Sequence, residues 1–544
     1  GIQMINYGGP GAATSLFMRG ANSNQVKIIV DDIAINTASG DSSLRFLSLS
    51  EIERIEILRG PASSLYGADA IGGVINIITR RGQPGLRADG FIGYGSRDTQ
   101  QINAGISGGD EHWRFRVEGN HYQTDGFSAQ RHARNKDADD DGYRNTGGAV
   151  SLSFLPAQGH ELGVSYRENE GLVNYDSGNP LPGSDYDFRE RFRVEQWRIF
   201  SKNRFHEKWL STLQYGFAED YRKRYDAWEI SKTRTRNQQF SWQNDMTLPL
   251  GHALMAVENQ RQEIGPRYDS TGADNYSGNP THISNTAFLA GWTAHLSRHG
   301  WQLNTRRDKH SEFGGKTTYS VAYGYQISDT LRTHVGYGTS FRAPTIVDLF
   351  RPGWGGNPDL KPEEAKNSEV ALAWEQGAHQ ASATYYHNKV KNLIVGNPAN
   401  FWNLDNINKA LLEGITLAYR GRFGDWGFFT TYDWLNAKNQ SGNADGKRLP
   451  YRARHKVTLG LSYTQGKIET GMEVIGMGRR YSDTMNNDAL GAYALVNLTT
   501  RYALTRALSL EGRLDNLFDK KYETIRGYNT PGFTAFAGLR YSPR

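Results

Sequence analysis

The 544-residue chain has no cysteine, no long apolar run and no polybasic run. The absence of cysteine excludes a disulfide framework and a metal site built from thiolates. Since no stretch approaches the roughly 18 consecutive apolar residues of a membrane helix, we expect no helical membrane span. The 63 basic and 57 acidic residues leave a net charge of only +6, which gives no indication of nucleic-acid binding.

Aromatic residues and glycine, in contrast, are abundant. Aromatic residues make up 12% of the chain, which carries 29 Tyr and 61 Gly, while the mean hydropathy is only -0.65. A membrane β-barrel needs this combination, because aromatic girdles at both interfaces surround a polar interior. A large soluble β-protein can have a similar composition, so composition alone leaves that alternative open.

Apolar and polar residues alternate along most of the chain, from about residue 84 onward. The segments 113–118, 457–463 and 533–541 each place apolar side chains on one face and polar or small ones on the other. Such alternation is typical of strands with a lipid-facing and a lumen-facing side. About 460 residues divided among 22 strands give roughly 21 residues per strand and connection, which suits a plugged outer-membrane transporter.

Residues 1–81 follow a different pattern, which predicts a small α+β domain. Ile52, Ile55 and Ile57 share a strand-like spacing, and a second apolar run follows at 74–78 after turns rich in Gly and Pro. This arrangement predicts two strands joined by tight turns. The segment Leu44–Leu58 could begin as a helix, because a serine at 48 or 50 can cap its first turn.

Five segments, in the family's order along the chain, resemble the signature motifs of TonB-dependent outer-membrane receptors. They are Phe17–Asn36, Leu58–Gly82, Ser340–Phe350, Asn357–Leu372 and Asp515–Thr524. The resemblance covers essentially the whole chain. It implies an all-β membrane protein: a 22-stranded antiparallel transmembrane β-barrel with a small N-terminal α+β plug domain in its lumen. The implied domains are a plug over residues 1–82 and a barrel over residues 83–544.

The resemblance also implies where the protein works and with which partners. We expect a monomeric receptor, not an enzyme, surrounded by lipid in the outer membrane of a Gram-negative bacterium. Its implied partner is the TonB–ExbB–ExbD inner-membrane complex. Because Gly1-Ile2-Gln3 resembles the middle of a plug, the TonB box and the first plug strands are expected to be missing from this sequence.

Within the family, Arg306–Tyr325 and Ile525–Tyr541 are most similar to the receptors for vitamin B12 (cobalamin). The implied function is the capture and import of this scarce, bulky nutrient, with a corrinoid as ligand. The alternative is a haem or ferric-siderophore receptor of the same family. Haem is usually held by an axial histidine, and His282, His379 and His387 are candidates that could lie in loops.

The resemblance places the ligand on plug turns that face the outside, at Asn6–Ser15 and Asn36–Ser43. Small residues in these turns would let backbone groups approach a bulky ligand and its amide side chains. Simple flexible turns remain the alternative. The predicted ligand-binding residues are Asn6, Tyr7, Gly8, Ser15, Asn36, Thr37, Ser39 and Asp41.

Aspartates in two candidate extracellular loops predict a structural calcium site. The predicted ligands are Asp176, Asp185 and Asp187 in one loop and Asp220 and Asp226 in the next. Several carboxylates brought together repel one another unless a cation is bound, and Ca²⁺ prefers such oxygen ligands. The resemblance to cobalamin receptors implies calcium in these loops. The alternative is neutralisation by the neighbouring basic residues at 189, 191, 222, 223 and 224.

Overall fold

The computed structural model describes residues 1–130, 139–176, 188–225, 230–265, 281–351, 356–396 and 404–543. A barrel encloses an N-terminal plug domain in its lumen. Among the described residues, no helix has the length and apolar character needed to cross a membrane. The plug elements are β1 (Ile2–Asn6), β2 (Thr14–Met18), β3 (Val26–Val30), β4 (Ile33–Ala34), β5 (Ile52–Arg59), α1 (Ser63–Tyr66) and β6 (Gly73–Thr79).

The described barrel strands form one closed antiparallel sheet of 22 strands, which confirms the predicted fold class. The last strand pairs with the first, so the sheet has no free edge. Its strands are β7 (Arg87–Gly95), β8 (Thr99–Gly109), β9 (Trp113–Thr124), β10 (Tyr143–Ala157), β11 (His160–Asn174), β12 (Arg189–His206), β13 (Trp209–Tyr225), β14 (Ile230–Leu248), β15 (Gly251–Ile264), β16 (His282–Leu296), β17 (His299–His310), β18 (Gly314–Gln326), β19 (Leu331–Arg342), β20 (Glu363–Gln376), β21 (His379–Gly396), β22 (Leu404–Phe423), β23 (Trp426–Asn439), β24 (His455–Gln465), β25 (Ile468–Met477), β28 (Tyr493–Ala503), β29 (Leu508–Asp515) and β30 (Thr534–Tyr541).

The connections between barrel strands differ at the two ends. One end carries short turns such as 110–112 and 207–208, and the other carries most of the long connections, such as 125–142 and 516–533. The long connections also hold the helix α2 (Ile346–Phe350) and the small hairpin of β26 (Arg480–Tyr481) and β27 (Ala489–Leu490). Since outer-membrane barrels have short periplasmic turns and longer extracellular loops, the long-loop end faces the outside.

The predicted alternation is present in the barrel wall. Ile199, Leu213 and Phe240 point outward and are 55%, 44% and 38% exposed to the surroundings. The inward positions are largely polar and lie against the plug: Gln196 and Asn237 are buried there. The two-residue alternation along each strand therefore produces both a lipid-facing band and a polar lumen.

The plug contains a four-stranded sheet in the order β4-β3-β6-β5, beside a separate β1–β2 hairpin. Met18, Val26, Ile28, Ile75 and Ile77 belong to its buried core. The first barrel strand begins at 87, so the domain boundary expected after residue 82 stays a prediction.

The expected helix in the segment 44–58 does not form. Only short 3₁₀ turns occur at Ser43–Phe46 and Leu49–Glu51, and β5 follows immediately. β5 pairs with β6 over almost its whole length, including Ile55 with Ile77. The β-branched residues that follow the potential serine cap favour this strand, and pairing within the plug sheet outweighs the capping signal.

Neutral amide side chains of the barrel fix one side of the plug. Gln196 donates to the carbonyl oxygen of Val30 at 2.8 Å, and Gln239 donates to that of Asp32 at 3.1 Å. Asn237 donates to the carbonyl oxygen of Asn36 at 3.0 Å. These bonds pair backbone carbonyls of the plug with side chains of the barrel wall. They therefore set the position of the turn at 36–43.

Candidate functional site

Two plug turns reach the long-loop end of the barrel. The turn between β1 and β2 touches the loop 125–142, since a Cβ atom at Gly8 would lie 2.7 Å from that of Ala129. The turn after β4 meets the loop end of β14, where the Ala38 amide donates to the Thr235 hydroxyl at 3.2 Å. Both turns predicted to hold the ligand therefore lie beneath the extracellular loops.

The first turn presents an aromatic side chain to the outside. Tyr7 is 36% exposed, and its ring meets that of Tyr528, from the loop 516–533, edge to face at a centroid distance of 5.2 Å. Gly8 follows with a φ of +135° beneath Ala129, so a side chain there would both strain the backbone and displace the loop. Pro10 and Ala13 are also exposed in this turn.

Three extracellular loops are bound to one another above this turn. The backbone amide of Asn529 donates to the carbonyl oxygen of Ala129 at 2.7 Å. The amide of Ala129 donates to Asp141 at 2.6 Å, and that of Gln130 donates to Asp176 at 2.8 Å. The described parts of these loops thus form a hydrogen-bonded rim over the first plug turn, made by Ala129, Gln130, Asp141, Asp176 and Asn529.

Two carboxyl groups meet in this rim. Asp141 is only 3% exposed, and its burial, together with the neighbouring Asp176, raises its pKa to about 8. Two adjacent carboxyl groups cannot both carry a full charge in a buried site unless a proton or a cation lies between them. Their oxygens are the ligand type that hard cations prefer.

The remaining predicted metal ligands have other surroundings. Asp220 points into the lumen, where Arg222 donates to its two oxygens at 2.7 and 2.8 Å. Asp185, Asp187 and Asp226 lie outside the described residues. Within the described part of the chain, no group of three or more Asp, Glu, His or Cys side chains has the geometry of a metal site. The calcium site therefore stays a prediction. For Asp220, the alternative of neutralisation by a neighbouring basic residue applies, because Arg222 pairs with it.

The second turn carries a closed polar network. Asp41 accepts hydrogen bonds from the hydroxyls of Thr37 and Ser39 and pairs with Arg222 at 2.7 Å. Burial opposes the negative charge of Asp41, but Arg222 and the Thr37 hydroxyl outweigh it and lower its pKa to about 2. Thr37 is buried, whereas Ser39 is exposed. This turn is held to the barrel by charge and offers the Ser39 side chain to the outside.

Other predicted contact residues have partners within the protein. The Asn36 side chain accepts from the Ile28 amide at 2.9 Å and donates to the Val26 carbonyl at 3.2 Å. The Asn6 side chain donates to the Thr14 hydroxyl at 2.9 Å. These two asparagines shape the turns, whereas Tyr7 and Ser39 are exposed and Ser15 is half-buried. The Ser39 hydroxyl donates to Asp41 and keeps its oxygen exposed to a ligand.

Arg45, Arg222 and Arg224, on the side of the second plug turn, are compensated by carboxylates. Arg45 pairs with Glu190 at 2.6 Å and also donates to the carbonyl oxygen of Gly11 at 2.8 Å. Arg224 approaches the same glutamate at 3.0 Å, and Arg222 is shared by two aspartates. At this side of the lumen, the charges of Arg45 and Arg222 are therefore balanced by neighbouring carboxylates.

Two of the candidate haem ligands lie away from the loop end, and the third, His282, adjoins Ile283, which packs against Ala38 of the second turn. His379 begins β21 at the short-turn end and accepts or donates a hydrogen bond to the Tyr419 hydroxyl at 2.9 Å. His387 lies in the middle of the same strand, 3.4 Å from Glu413. His282 begins β16 at the loop end and is exposed.

Sequence reasoning did not find the residues that cover the site. Tyr528 and Asn529 come from the loop between β29 and β30, and Ala129 comes from the loop between β9 and β10. Both loops are distant in sequence from the plug turns and from each other. No local pattern marks them, because their role depends on loop ends that the closed barrel brings together. Tyr7 was among the predicted ligand-binding residues, but its contact with Tyr528 was not predicted.

Comparisons with known proteins agree with this architecture. The family model "TonB dependent receptor-like, beta-barrel" matches residues 203–517, and the model "TonB-dependent Receptor Plug Domain" matches residues 1–74. The chain is 29% identical over 561 aligned residues to the vitamin B12 transporter BtuB of Photobacterium profundum, covering 99% of this chain and 88% of that protein.

Solved structures of siderophore receptors share the fold. A mutant of the ferric enterobactin receptor PfeA of Pseudomonas aeruginosa has a TM-score of 0.85 at 18% identity, over 100% of this chain and 94% of that one. The ferric yersiniabactin uptake receptor FyuA of Yersinia pestis has a TM-score of 0.82 at 19% identity, over 100% and 93%. The chain therefore belongs to the family of TonB-dependent receptors, outer-membrane transport proteins that are not enzymes.

Proposed function

We propose that this receptor captures vitamin B12 (cobalamin), or a closely related corrinoid, and imports it. The observation that carries the proposal is the 29% identity to a vitamin B12 transporter over 99% of the chain. The similarity to siderophore receptors is 18% and 19% in sequence and supports the shared fold alone. A haem or ferric-siderophore ligand is the alternative.

The balanced charge beside the second plug turn supports a ligand without strong negative charge on that side. Ferric catecholates are strongly anionic and would be expected to need uncompensated cations. Arg45 and Arg222 instead lie against Glu190, Asp41 and Asp220. A corrinoid, whose rim carries carboxamides, would use hydrogen bonds and apolar contact rather than charge.

The exposed groups of the two plug turns suit such a ligand. Tyr7 offers an aromatic face and a hydroxyl, and Ser39 offers a second hydroxyl. Pro10 and Ala13 add small apolar surface beside the backbone of the first turn. We expect the corrin face to lie on this apolar surface while its amides bind Ser39 and backbone groups. Asn6, Gly8, Ser15, Asn36, Thr37 and Asp41 would shape or line the same surface.

We also propose that calcium orders the rim of the site. Asp141 and Asp176 would supply carboxylate oxygens, and the backbone amides already bound to them would keep both side chains oriented. Asp185, Asp187 and Asp226 are further candidate ligands, whereas Asp220 is engaged by Arg222. A divalent cation would remove the repulsion between carboxylates and so hold the loops over the ligand.

Import requires part of the plug to yield. Receptors of this family interact with TonB, and we propose the TonB–ExbB–ExbD complex as the energy source for a monomeric receptor. Force on the plug would have to break contacts such as Arg19–Glu369 at 2.8 Å, as well as the amide bonds along 30–36. Each is modest in energy, so they can be broken one after another.

Equilibrium binding to the purified receptor in detergent tests the ligand assignment. Cyanocobalamin, haemin and a ferric catecholate are titrated separately, each with calcium and with a chelator. We expect tight binding of cyanocobalamin that calcium strengthens. Binding of haemin or the ferric complex without binding of cyanocobalamin would refute the corrinoid assignment and leave the receptor family unaffected.

A further inference from the structure

A cavity of about 340 Å³ lies inside the barrel where its first and last strands meet. Its wall is formed by β8, β9 and β28–β30 together with the turn between β7 and β8. The loops 125–142 and 516–533 bound it at the extracellular end. Among the described residues that line it, Pro10 is the only one from the plug. We call this space the seam cavity.

The side chains of its wall belong to the lumen face of the strands. Tyr122 is directly opposite Asn145, whose side chain donates to the plug carbonyl of Phe46 at 3.0 Å. Directly opposite residues of an antiparallel pair share one face of the sheet, so Tyr122 points into the lumen. Thr124, two residues further along the strand, shares that face. The seam cavity therefore lies inside the barrel and not against the lipid.

The seam cavity adjoins the surface proposed for the corrin ring. Pro10 is exposed and lies three residues after Tyr7 in the first plug turn. Pro531 also lines the cavity and lies three residues after Tyr528, whose ring meets that of Tyr7. Ligand pockets range from about 300 to 1,000 Å³, so this cavity is at the lower end of the range. It can hold one arm of a bulky ligand whose main part lies on the first plug turn.

Several hydroxyl and amide groups of the wall are already hydrogen-bonded within the protein. Thr99 and Thr124 donate to backbone carbonyls of the turn 96–98 at 2.7 and 3.2 Å. The Asn516 side chain accepts a hydrogen bond from the Lys520 amide at 2.9 Å. These groups shape the cavity and leave its selectivity to the charged and aromatic side chains.

One cation of the lining has no carboxylate partner. Among the described residues, no carboxylate lies within ion-pair distance of the guanidinium of Arg97, which lines the cavity. The Asp515 carboxylate in the same lining pairs with Arg513 at 2.8 Å. Asp519 lies near Arg97 but beyond ion-pair distance, and it pairs with Lys521 at 3.0 Å. The seam cavity therefore has one positive charge in excess, which suits a ligand group with a single negative charge.

Aromatic rings line the cavity beside this cation. The Arg97 guanidinium lies over the Phe127 ring at 5.1 Å from its centroid, and Tyr522 and Phe536 also belong to the lining. The faces of such rings bind planar aromatic groups by stacking, whereas a guanidinium binds phosphate oxygens through two parallel hydrogen bonds. The lining thus combines the groups that recognise an aromatic base joined to a phosphate.

We propose that the seam cavity binds the nucleotide arm of the corrinoid, which consists of a benzimidazole base, a ribose and a phosphodiester. This inference rests on the proposed function, because the arm reaches the cavity only when the corrin ring lies on the first plug turn. Arg97 would bind the phosphodiester, whose single negative charge it balances, and Phe127 would pack against the base. The receptor would therefore select a complete cobalamin over cobinamide, which has the corrin ring without the nucleotide arm.

The test compares two ligands that differ in this arm. Cyanocobalamin and dicyanocobinamide are titrated separately into the purified receptor in detergent, with calcium present. The variants are Arg97→Gln, which removes the charge, and Arg97→Lys, which keeps it. The control Arg87→Gln removes an exposed arginine at the short-turn end of β7. Retained mobility of the unheated barrel in SDS gels verifies that every variant folds.

The wild type should bind cyanocobalamin at least tenfold more tightly than dicyanocobinamide. Since a hydrogen bond to a charged group contributes about tenfold or more, Arg97→Gln should weaken cyanocobalamin binding about tenfold and leave dicyanocobinamide binding unchanged. Arg97→Lys and Arg87→Gln should keep most of the wild-type preference. Phe127→Leu should weaken cyanocobalamin binding alone, by about fivefold, whereas Phe423→Leu, which changes an exposed ring of the barrel wall, should alter neither affinity.

The outcomes separate this inference from the proposed function. Equal affinities of the wild type for the two corrinoids would overturn the inference and leave capture of a corrinoid intact. An Arg97→Gln variant that keeps the wild-type preference, or that loses affinity equally for both ligands, would overturn it in the same way. Absence of binding of either corrinoid to the wild type would instead refute the proposed function, and the assignment of the seam cavity with it.

Discussion

Replacing Arg45 by Ala should loosen the plug on the side of its first turn. The Arg45 guanidinium binds Glu190 at 2.6 Å and the Gly11 carbonyl at 2.8 Å, and it lies over the Phe46 ring at 4.4 Å. The substitution removes all three contacts at once. It also leaves the Glu190 carboxylate, whose side chain is only 3% exposed, with Arg224 as its remaining ion-pair partner and Arg222 as a more distant cation.

The size of the effect follows from that buried carboxylate. Removing one partner of a buried ion pair typically costs about 3–5 kcal/mol, because the other charge is left without compensation. Arg224 remains 3.0 Å from Glu190 but is 47% exposed, so it compensates only in part. We therefore expect a loss of about 2–3 kcal/mol in the free energy of plug unfolding. Adding Glu190→Gln to the Arg45→Ala variant should recover part of the lost stability, since it removes the carboxylate charge that has lost its partner.

A single introduced cysteine makes this measurable, because the chain has none of its own. Leu49→Cys places a fluorescent label on an exposed plug residue, and urea titration then follows plug unfolding inside the barrel. With a denaturant slope of about 1 kcal/mol per molar, the midpoint should fall by about 2 M in Arg45→Ala. The control Arg54→Ala removes an exposed plug arginine that pairs only with exposed glutamates, and its midpoint should not change. Equal midpoints for the two variants would refute the reasoning.

Three further predictions concern the turns and the rim. Gly8→Val should weaken corrinoid binding at least tenfold, because its side chain cannot fit beneath the loop, whereas Gly491→Val, which meets open space, should bind normally in the same titration. Asp176→Asn should abolish the increase in corrinoid affinity that calcium causes. The control Asp445→Asn, which changes an exposed loop aspartate, should preserve that increase. Retained calcium dependence in Asp176→Asn would contradict the metal proposal. Asp41 should stabilise the plug above its unfolded pKa near 3.8 and lose this contribution as the pH falls towards about 2. After allowance for solvent screening the contribution is about 1 kcal/mol, and urea midpoints from pH 6 to pH 2 should show no such loss in Asp41→Asn.

The barrel was predictable because its signal repeats along the chain. Alternation in segments such as 457–463 specifies two faces for every strand, and chain length limits the number of strands. The structure places those segments in β24 and β30 with the expected period. Every strand shows the same alternation of apolar and polar residues, so a misinterpreted segment does not alter the predicted fold.

The plug was predicted less well, because its elements are short and decided by packing. The serine cap near residue 48 predicted a helix, but the segment continues as β5 because pairing with β6 and the isoleucines favour a strand. The plug turns at 6–15 and 36–43 lie under the loops, and their role in ligand binding stays a prediction. Which side chains remain exposed there could not be predicted, since Asn36 is engaged by backbone groups that the fold supplies.

The loop contacts had no signal in the sequence. Tyr7 and Tyr528 are far apart in the chain and meet only because the closed barrel brings the last loop beside the first plug turn. The same holds for the carboxyl pair of Asp141 and Asp176, which belongs to two different loops. The acidic residues in the loops suggested a cation site. Asp220 is already paired with Arg222, which the sequence did not indicate.

The most direct test of the account is a calorimetric titration of cyanocobalamin into the receptor and into two variants. Tyr7→Ala removes the exposed aromatic group of the first plug turn, and Met4→Ala removes an exposed plug side chain outside that turn. The account predicts tight binding to the wild type and to Met4→Ala, and at least tenfold weaker binding to Tyr7→Ala. No binding of cyanocobalamin to the wild type, or equal binding to all three proteins, would contradict capture of a corrinoid at the plug turns.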